Sequence, residues 1–283
     1  MPATLLNGRL FAQQLRQQLK AEVAAIAQTR GFYPQLAVVQ IQGDAASERY
    51  VRSIRRLCDE LGIVFHLELL PAHVSQATLD ADIAHLSVNP HIHAILIQMP
   101  LPAHLSADQA VLCLDPNKDV DGIHPISMGL LAQGRPTFIP NTPAGGMALL
   151  EHYGINPAGM RAAVVGRSAV VGRPMAFLLL QAHATVTICH SRTTDLGAVL
   201  RECDLVAVAA GRRGLVTGAM LRPGAIVLDF GVNVLDDGST SGDVDFASAS
   251  EIVSALTPVP GGTGPVTNMM LMRNVLRTCE QRV

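Results

Sequence analysis

The sequence predicts an α/β protein of two α/β domains, each a parallel sheet flanked by helices. Three observations predict it. Short apolar runs alternate with helical periodicities from about residue 8 to 98; proline, glycine, asparagine and aspartate crowd residues 99–145; and the alternation then resumes to about residue 261. Parallel strands need long crossover connections, usually helices, which is the rhythm seen. With 283 residues, 49% of them hydrophobic, the chain can bury a sizeable core.

Phe11, Leu15, Leu19, Val23 and Ile26 recur at three- and four-residue steps and predict a helix over about 8–28 with one buried face. Runs at 36–41 (LAVVQI), 64–70 (VFHLELL) and 94–98 (AILIQ) read as strands, with helices between them near 46–61 and 76–86. The stretch 99–145 reads as loops lining a cleft, without long regular elements. Strands follow at 161–165, 184–189, 204–210 and 225–231, so a second unit spans about 141–261. The last segment, VTNMMLMRNVLRTC, has methionine and leucine at helical spacing and reads as a closing helix packed in the core.

The formal charge of −2, without a basic block, argues against a nucleic-acid partner. No apolar run reaches membrane-spanning length and the N-terminus lacks a leader pattern, so the expectation is a protein without a membrane partner. The five cysteines are scattered, without a CxxC pair, and read as reduced core thiols in the cytoplasm.

Chemistry concentrates in a few stretches. In VVGRSAVVGRP a strand ends at Val165, Gly166 turns the chain, and Gly172 lets backbone approach a ligand before Pro174 starts a helix, whose free N–H groups favour an anion. The next strand ends in CHSRTTD, where a dinucleotide enzyme reads the ribose. Ser191, Arg192 and Arg167 stand there instead of an acid, which favours NADP over NAD. PNKDVDGIHP carries Asp115, Asp119 and Asp121, whose DxxxDxD spacing lacks the closing glutamate of a calcium loop; a hydrogen-bonding carboxylate fits better than a metal site. His91 and His93, an HxH that a strand would point to one face, have no third ligand in view and read as an edge or surface pair, not zinc.

Together, YVxxxxRxCxxxG (50–62), QMPLP (98–102), DPNKDVDGIHP (115–125), VVGRSAVVGRP (164–174), CHSRT (189–193), GDV (242–244) and TPVPGGTGP (257–265) resemble the bifunctional methylenetetrahydrofolate dehydrogenase/methenyltetrahydrofolate cyclohydrolase family, in order along nearly the whole chain. The resemblance implies an N-terminal catalytic domain (1–140) completed by the C-terminal helix (262–283), a Rossmann-like NADP domain (141–261), an interdomain cleft and a homodimer. It implies that Tyr50 lines the folate cleft, that Gln98 sits beside the reacting carbon, and that Asp121 holds the pterin. It also assigns Gly166, Ser168 and Gly172 to the nucleotide loop, Arg167, Ser191 and Arg192 to the nucleotide, and Pro258, Gly261 and Gly262 to the wall where folate meets nicotinamide.

The sequence departs from the family pattern where the family writes YVxxK: this chain has Ile54 one turn after Tyr50. Arg55 and Arg56 lie about 100° and 200° further round the helix, and a guanidinium does not shuttle protons near neutral pH. Ser127, Leu130, Asn141, Ala144, Thr263 and Val266 also differ from the family's usual residues, mostly on the folate side. The expectation is an NADP-dependent methylenetetrahydrofolate dehydrogenase with weak or absent cyclohydrolase activity. Two other readings stay open: a catalytically silent relative that binds folate or nucleotide, and a dehydrogenase of another one-carbon carrier.

Overall fold

The computed structural model describes residues 3–280, which divide into two compact units, one of residues 15–139 and 271–280, the other of residues 3–14 and 140–270. The chain begins with β1 (Thr4–Leu5) and α1 (Gly8–Arg30), then alternates β2 (Gln35–Ile41), α2 (Ala45–Leu61), β3 (Val64–Leu70), α3 (Gln76–Val88) and β4 (Ala94–Ile97). These three later strands form a parallel sheet in the order β3-β2-β4. Central β2 is buried on both faces, which is why it reads as an apolar run interrupted only by Gln40. Ala37, Val39 and Ile41 point to one face and pack with Ile95 and Ile97 of β4 and with Leu79 and Ile83 of α3. Edge strand β3 instead leaves Val64, Leu67 and Leu69 exposed.

α2 starts where Asp44 accepts hydrogen bonds from the N–H groups of Ala46 and Ser47, and it stops at Gly62, whose φ of +82° closes the helix in the left-handed region. Residues 99–139 are not all loop. α4 (Ala107–Leu112) and α5 (Pro125–Ala132) form there because Ser106 and His124 cap their first turns and Pro125 sits at the first helical position. α6 (Asn141–His152) runs for twelve residues across the other end of the stretch expected to be irregular. Its Gly145 and Gly146 are there for contact: a Cβ on Gly146 would overlap the Phe230 ring, and one on Gly145 would come within 3.2 Å of the Thr267 nitrogen.

The second unit continues with β5 (Arg161–Val165), α7 (Gly172–Gln181), β6 (Thr185–Cys189), α8 (Leu196–Arg201), β7 (Leu205–Val208), β8 (Ile226–Asp229), β9 (Asn233–Val234), β10 (Thr240–Ser241), α9 (Phe246–Ser250), β11 (Ala255–Leu256) and the first turns of α10 (Thr263–Glu280), which passes into the first unit from Leu271 on. Its six-stranded parallel sheet has the order β1-β11-β8-β7-β5-β6. Alternate residues of β5, β7 and β8 supply two cores: Ala163, Val165, Val206 and Val208 on one face, Ala162, Val164, Leu205 and Ala207 on the other. This is the doubly wound arrangement of a Rossmann-like fold. Among the described residues no helix is long and apolar enough to cross a membrane.

Candidate functional site

Tyr50, Gln98 and Asp121 all belong to the first unit. Tyr50 stands two turns into α2, which follows the carboxyl end of β2, and Gln98 directly follows β4. In parallel sheets ligands bind at these carboxyl ends. The Gln98 amide nitrogen donates to the Met99 carbonyl (2.7 Å) and lies 3.4 Å from the Ser47 hydroxyl, one turn before Tyr50 on α2. Ser47 in turn donates to Asp44 (2.6 Å), so the helix cap and the site share a chain of hydrogen bonds. The burial around the Tyr50 phenol and, secondly, the charge of Asp121 push its pKa above the ordinary tyrosine value, although 36% of the residue's surface is exposed. Tyr50 is therefore a neutral phenol at physiological pH.

The loop that carries Asp121 is organised around Asp119. Asp119 has no exposed surface; it accepts the N–H groups of Ile123 (3.1 Å) and His124 (2.8 Å) and the Ser127 hydroxyl (2.8 Å). Burial raises its pKa, and those same donors offset only part of the rise. Lys118 is also buried, with its ammonium on the carbonyls of Leu86 (3.1 Å) and Asn89 (2.8 Å) at the end of α3. Of the aspartates in this stretch, Asp119 builds the loop, and Asp121 lies near enough for its charge to act on the Tyr50 phenol. Asn274 of α10 fastens the same loop by donating to the carbonyls of Val120 (2.9 Å) and Ile139 (3.1 Å). The closing helix reaches α2 as well, where the Cys58 and Met272 sulfurs are 4.0 Å apart.

Ile54 has no exposed surface and lies in the buried stripe of α2 with Ser47, Val51, Cys58 and Leu61. The four-residue spacing predicts that Tyr50 and Ile54 point the same way; Tyr50 instead sits at the margin of the buried stripe and Ile54 inside it. Arg52, Arg55 and Arg56 are exposed, and Arg55 lies over the Phe65 ring (5.1 Å).

In the second unit a cavity of about 480 Å³ opens at the ends of β5, β6 and β7, lined by Gly166, Arg167, Ser168, His190, Ser191 and Arg212 among others. Gly166 has φ of +124°, and a Cβ there would overlap the Ala209 carbonyl. Gly172 is needed by the loop itself: a Cβ would overlap the Gly166 carbonyl, so close approach of the loop's own backbone accounts for this glycine. The Ser168 hydroxyl accepts from Val171 (3.2 Å) and Gly172 (3.3 Å), and α7 begins at Gly172, two residues before Pro174. Arg192 is adjacent to the cavity but does not line it; its N–H donates to the His190 ring (3.1 Å). Arg212 lines it and carries no sequence signal beyond its charge.

Pro258, Gly261 and Gly262 form a tight turn in the second unit, where the Gly262 N–H meets the Pro258 carbonyl (2.8 Å) and Gly261 has φ of +110°. The Thr263 hydroxyl donates to the Asp229 carbonyl (3.2 Å). The Asp229 side chain accepts the N–H groups of Gly231, Asp243 and Val244, yet burial pushes its pKa up to about 6. His91 and His93 lie outside any strand, so the expectation that both rings share one face does not hold. His91 is exposed, whereas His93 is buried, stacked on Phe32 at 4.6 Å, with its ring nitrogen accepting from Gln35 (3.1 Å).

Residues 6–121 match the tetrahydrofolate dehydrogenase/cyclohydrolase catalytic domain, and residues 140–283 match the NAD(P)-binding domain of the same enzymes. The bifunctional protein FolD of Chloroflexus aurantiacus is 59% identical over 283 residues, covering 100% of this chain and 99% of its own. The bifunctional dehydrogenase/cyclohydrolase structure from Campylobacter jejuni is 40% identical with a TM-score of 0.97, covering 99% of this chain and 100% of that one. The Trypanosoma brucei enzyme, complexed with NADP cofactor and inhibitor, is 34% identical with a TM-score of 0.94 and full coverage of both chains. The chain belongs to the tetrahydrofolate dehydrogenase/cyclohydrolase family.

Proposed function

We propose that this protein oxidises 5,10-methylenetetrahydrofolate to 5,10-methenyltetrahydrofolate with NADP, in cytoplasmic one-carbon metabolism and as a homodimer, and that its methenyltetrahydrofolate cyclohydrolase step is weak or absent. The observation that carries the reading is Ile54, an apolar side chain wholly buried on the helix that bears Tyr50, at the position where the family motif has lysine.

The residues present fit a dinucleotide. Two glycines keep the strand-to-helix turn compact, and a cavity of about 480 Å³ lined by Arg167 and Ser191 suits a ligand with phosphate groups. When bound, NADP supplies the hydride acceptor. Arg167, Ser191 and Arg192 read its ribose phosphate. On the folate side, Asp121 accepts two hydrogen bonds from the amide and amino edge of the pterin, and neutral Tyr50 and Gln98 orient the one-carbon bridge. Pro258, Gly261 and Gly262 shape the wall on the nicotinamide side.

Hydride transfer is driven by a folate nitrogen lone pair and needs aligned ligands more than a proton relay. Hydrolysis of the methenyl cation adds water and opens a ring, so protons must move. Gln98 does not ionise, and a phenol held above its ordinary pKa is a poor base near neutral pH. The second step therefore suffers most.

A coupled assay with separate readouts for NADPH formation and methenyltetrahydrofolate decay tests this. NADPH should form with methylenetetrahydrofolate while methenyl decay stays near the uncatalysed rate. Methenyl hydrolysis at a rate typical of lysine-bearing relatives would overturn the reading. NADP binding without either step would favour the silent relative, and NADPH formation only with another carrier the third reading.

A further inference from the structure

In the second sheet β6 lies on one side of β5 and β7 on the other, so the carboxyl ends of β5 and β7 flank the point where the strand order reverses. Doubly wound sheets hold the diphosphate of a dinucleotide at that point, while the ribose of the adenosine half is read at the end of the neighbouring strand. Here that neighbour is β6, with Ser191. The turn after β7 contributes Ala209, Ala210 and Arg212 to the cavity wall.

This turn is held from behind. Asp243 has no exposed surface, and its carboxylate accepts three successive backbone N–H groups, from Ala210 (2.7 Å), Gly211 (2.7 Å) and Arg212 (2.8 Å), as well as the Asn233 amide (2.9 Å). Its own N–H donates to Asp229 (3.1 Å), which ties the clamp to the end of β8. Backbone donors that face a buried carboxylate are not available to a phosphate. Of the two exposed arginines that follow, Arg213 lines a different cavity, and the Arg212 guanidinium is the donor that the turn offers to this one.

We propose that Arg212 is the cation for the diphosphate common to NAD and NADP, and that Asp243 is its positioning residue. The inference rests on reading this cavity as the dinucleotide site. It gives the two arginines of the cavity wall separate tasks: Arg167 discriminates between the two cofactors, and Arg212 serves both.

Calorimetric titration of the full protein with NADP and with NAD, and an NMR titration with adenosine, test the assignment. Arg212→Ala should weaken NADP and NAD alike by about tenfold, as expected for a lost hydrogen bond to a charged group, with adenosine binding unchanged. Arg212→Lys should restore part of the loss. Asp243→Asn should reproduce the pattern of Arg212→Ala, and the double variant should be little weaker than Arg212→Ala alone, because one residue acts through the other. Should Asp243→Asn fail to fold, Asn233→Ala loosens the same clamp and should weaken both cofactors twofold to threefold. The proposal is overturned if Arg212→Ala binds both cofactors normally or loses only NADP; normal binding by a folded clamp variant removes the positioning role. If Arg167→Ala and Arg212→Ala both leave NADP binding intact, the reading of the cavity itself is wrong.

Discussion

Tyr50 and Ile54 are one helical turn apart, yet the first is partly exposed beside Asp121 and the second is sealed in the core of α2. On the reading that Ile54 replaces the family's lysine, Ile54→Lys returns a proton donor and acceptor to the neighbourhood of Gln98. Positioned acid/base groups contribute roughly 10²- to 10⁴-fold, so methenyl hydrolysis should rise within that range while NADPH formation changes less. Burial disfavours the charged amine, so the rescued rate should show a pH midpoint below the ordinary lysine value of about 10.4, and thermal melting should show a loss of stability. A variant that folds and still fails to hydrolyse the methenyl substrate would place the deficit elsewhere, Ser127 included, whose hydroxyl is committed to Asp119. Tyr50, Gln98 and Asp121 could be named from motifs, but the burial of Ile54 could not, because spacing fixes an angle on the helix and leaves open which arc the neighbours cover.

Apart from α6, whose first turn lies in the proline- and glycine-rich stretch, elements long enough to show a period were the legible ones. β2, β3, α2 and the strands β5, β6, β7 and β8 of the second unit fall within a few residues of the positions that their apolar runs predict. The two-residue strands β1, β9, β10 and β11 have too few residues for alternation to register, and α4 and α5 depend on caps at Ser106 and His124 that look like ordinary loop residues until the chain is folded. The methionine-rich tail was readable as a helix, but its role as a fastener was not, since Asn274 gives no sign in sequence that it faces two carbonyls. Asn274→Leu removes the donors to the buried Val120 carbonyl and the partly buried Ile139 carbonyl, at roughly 1–3 kcal/mol for a buried group left unsatisfied. Because Val120 adjoins Asp121, tetrahydrofolate affinity should fall while NADP affinity stays within twofold. Chemical denaturation and paired binding titrations check this; loss of stability with folate affinity intact would mean that Asp121 is held independently of α10.

At the scale of the whole molecule, the edge of the first sheet is the unfinished part. β4 is covered on its outer side by the segment around Asp119, which bridges to Ile95, but among the described residues nothing pairs with the free side of β3. Val64, Leu67 and Leu69 are exposed there, and a cavity of about 410 Å³ beside them is lined by Gln40, Arg52, Arg55 and Phe65 among others. The Gln40 amide nitrogen is buried without a partner among the described residues, although buried polar groups are normally satisfied. Proteins protect bare edges with charge, proline or a covering element, and β3 has instead an apolar surface flanked by arginines. A second copy meeting this face would cover the leucines and put polar groups within reach of Gln40, which supports the homodimer proposed above. Light scattering after gel filtration should then give about twice the chain mass of 30.0 kDa. Leu67→Glu would place a carboxylate on each side of a two-fold contact, where like charges repel, so the variant should elute as a monomer with its NADP affinity retained. An unmutated protein that runs as a monomer, or a Leu67→Glu variant that stays dimeric, would remove β3 as the interface and leave the unpaired Gln40 nitrogen to be explained by water.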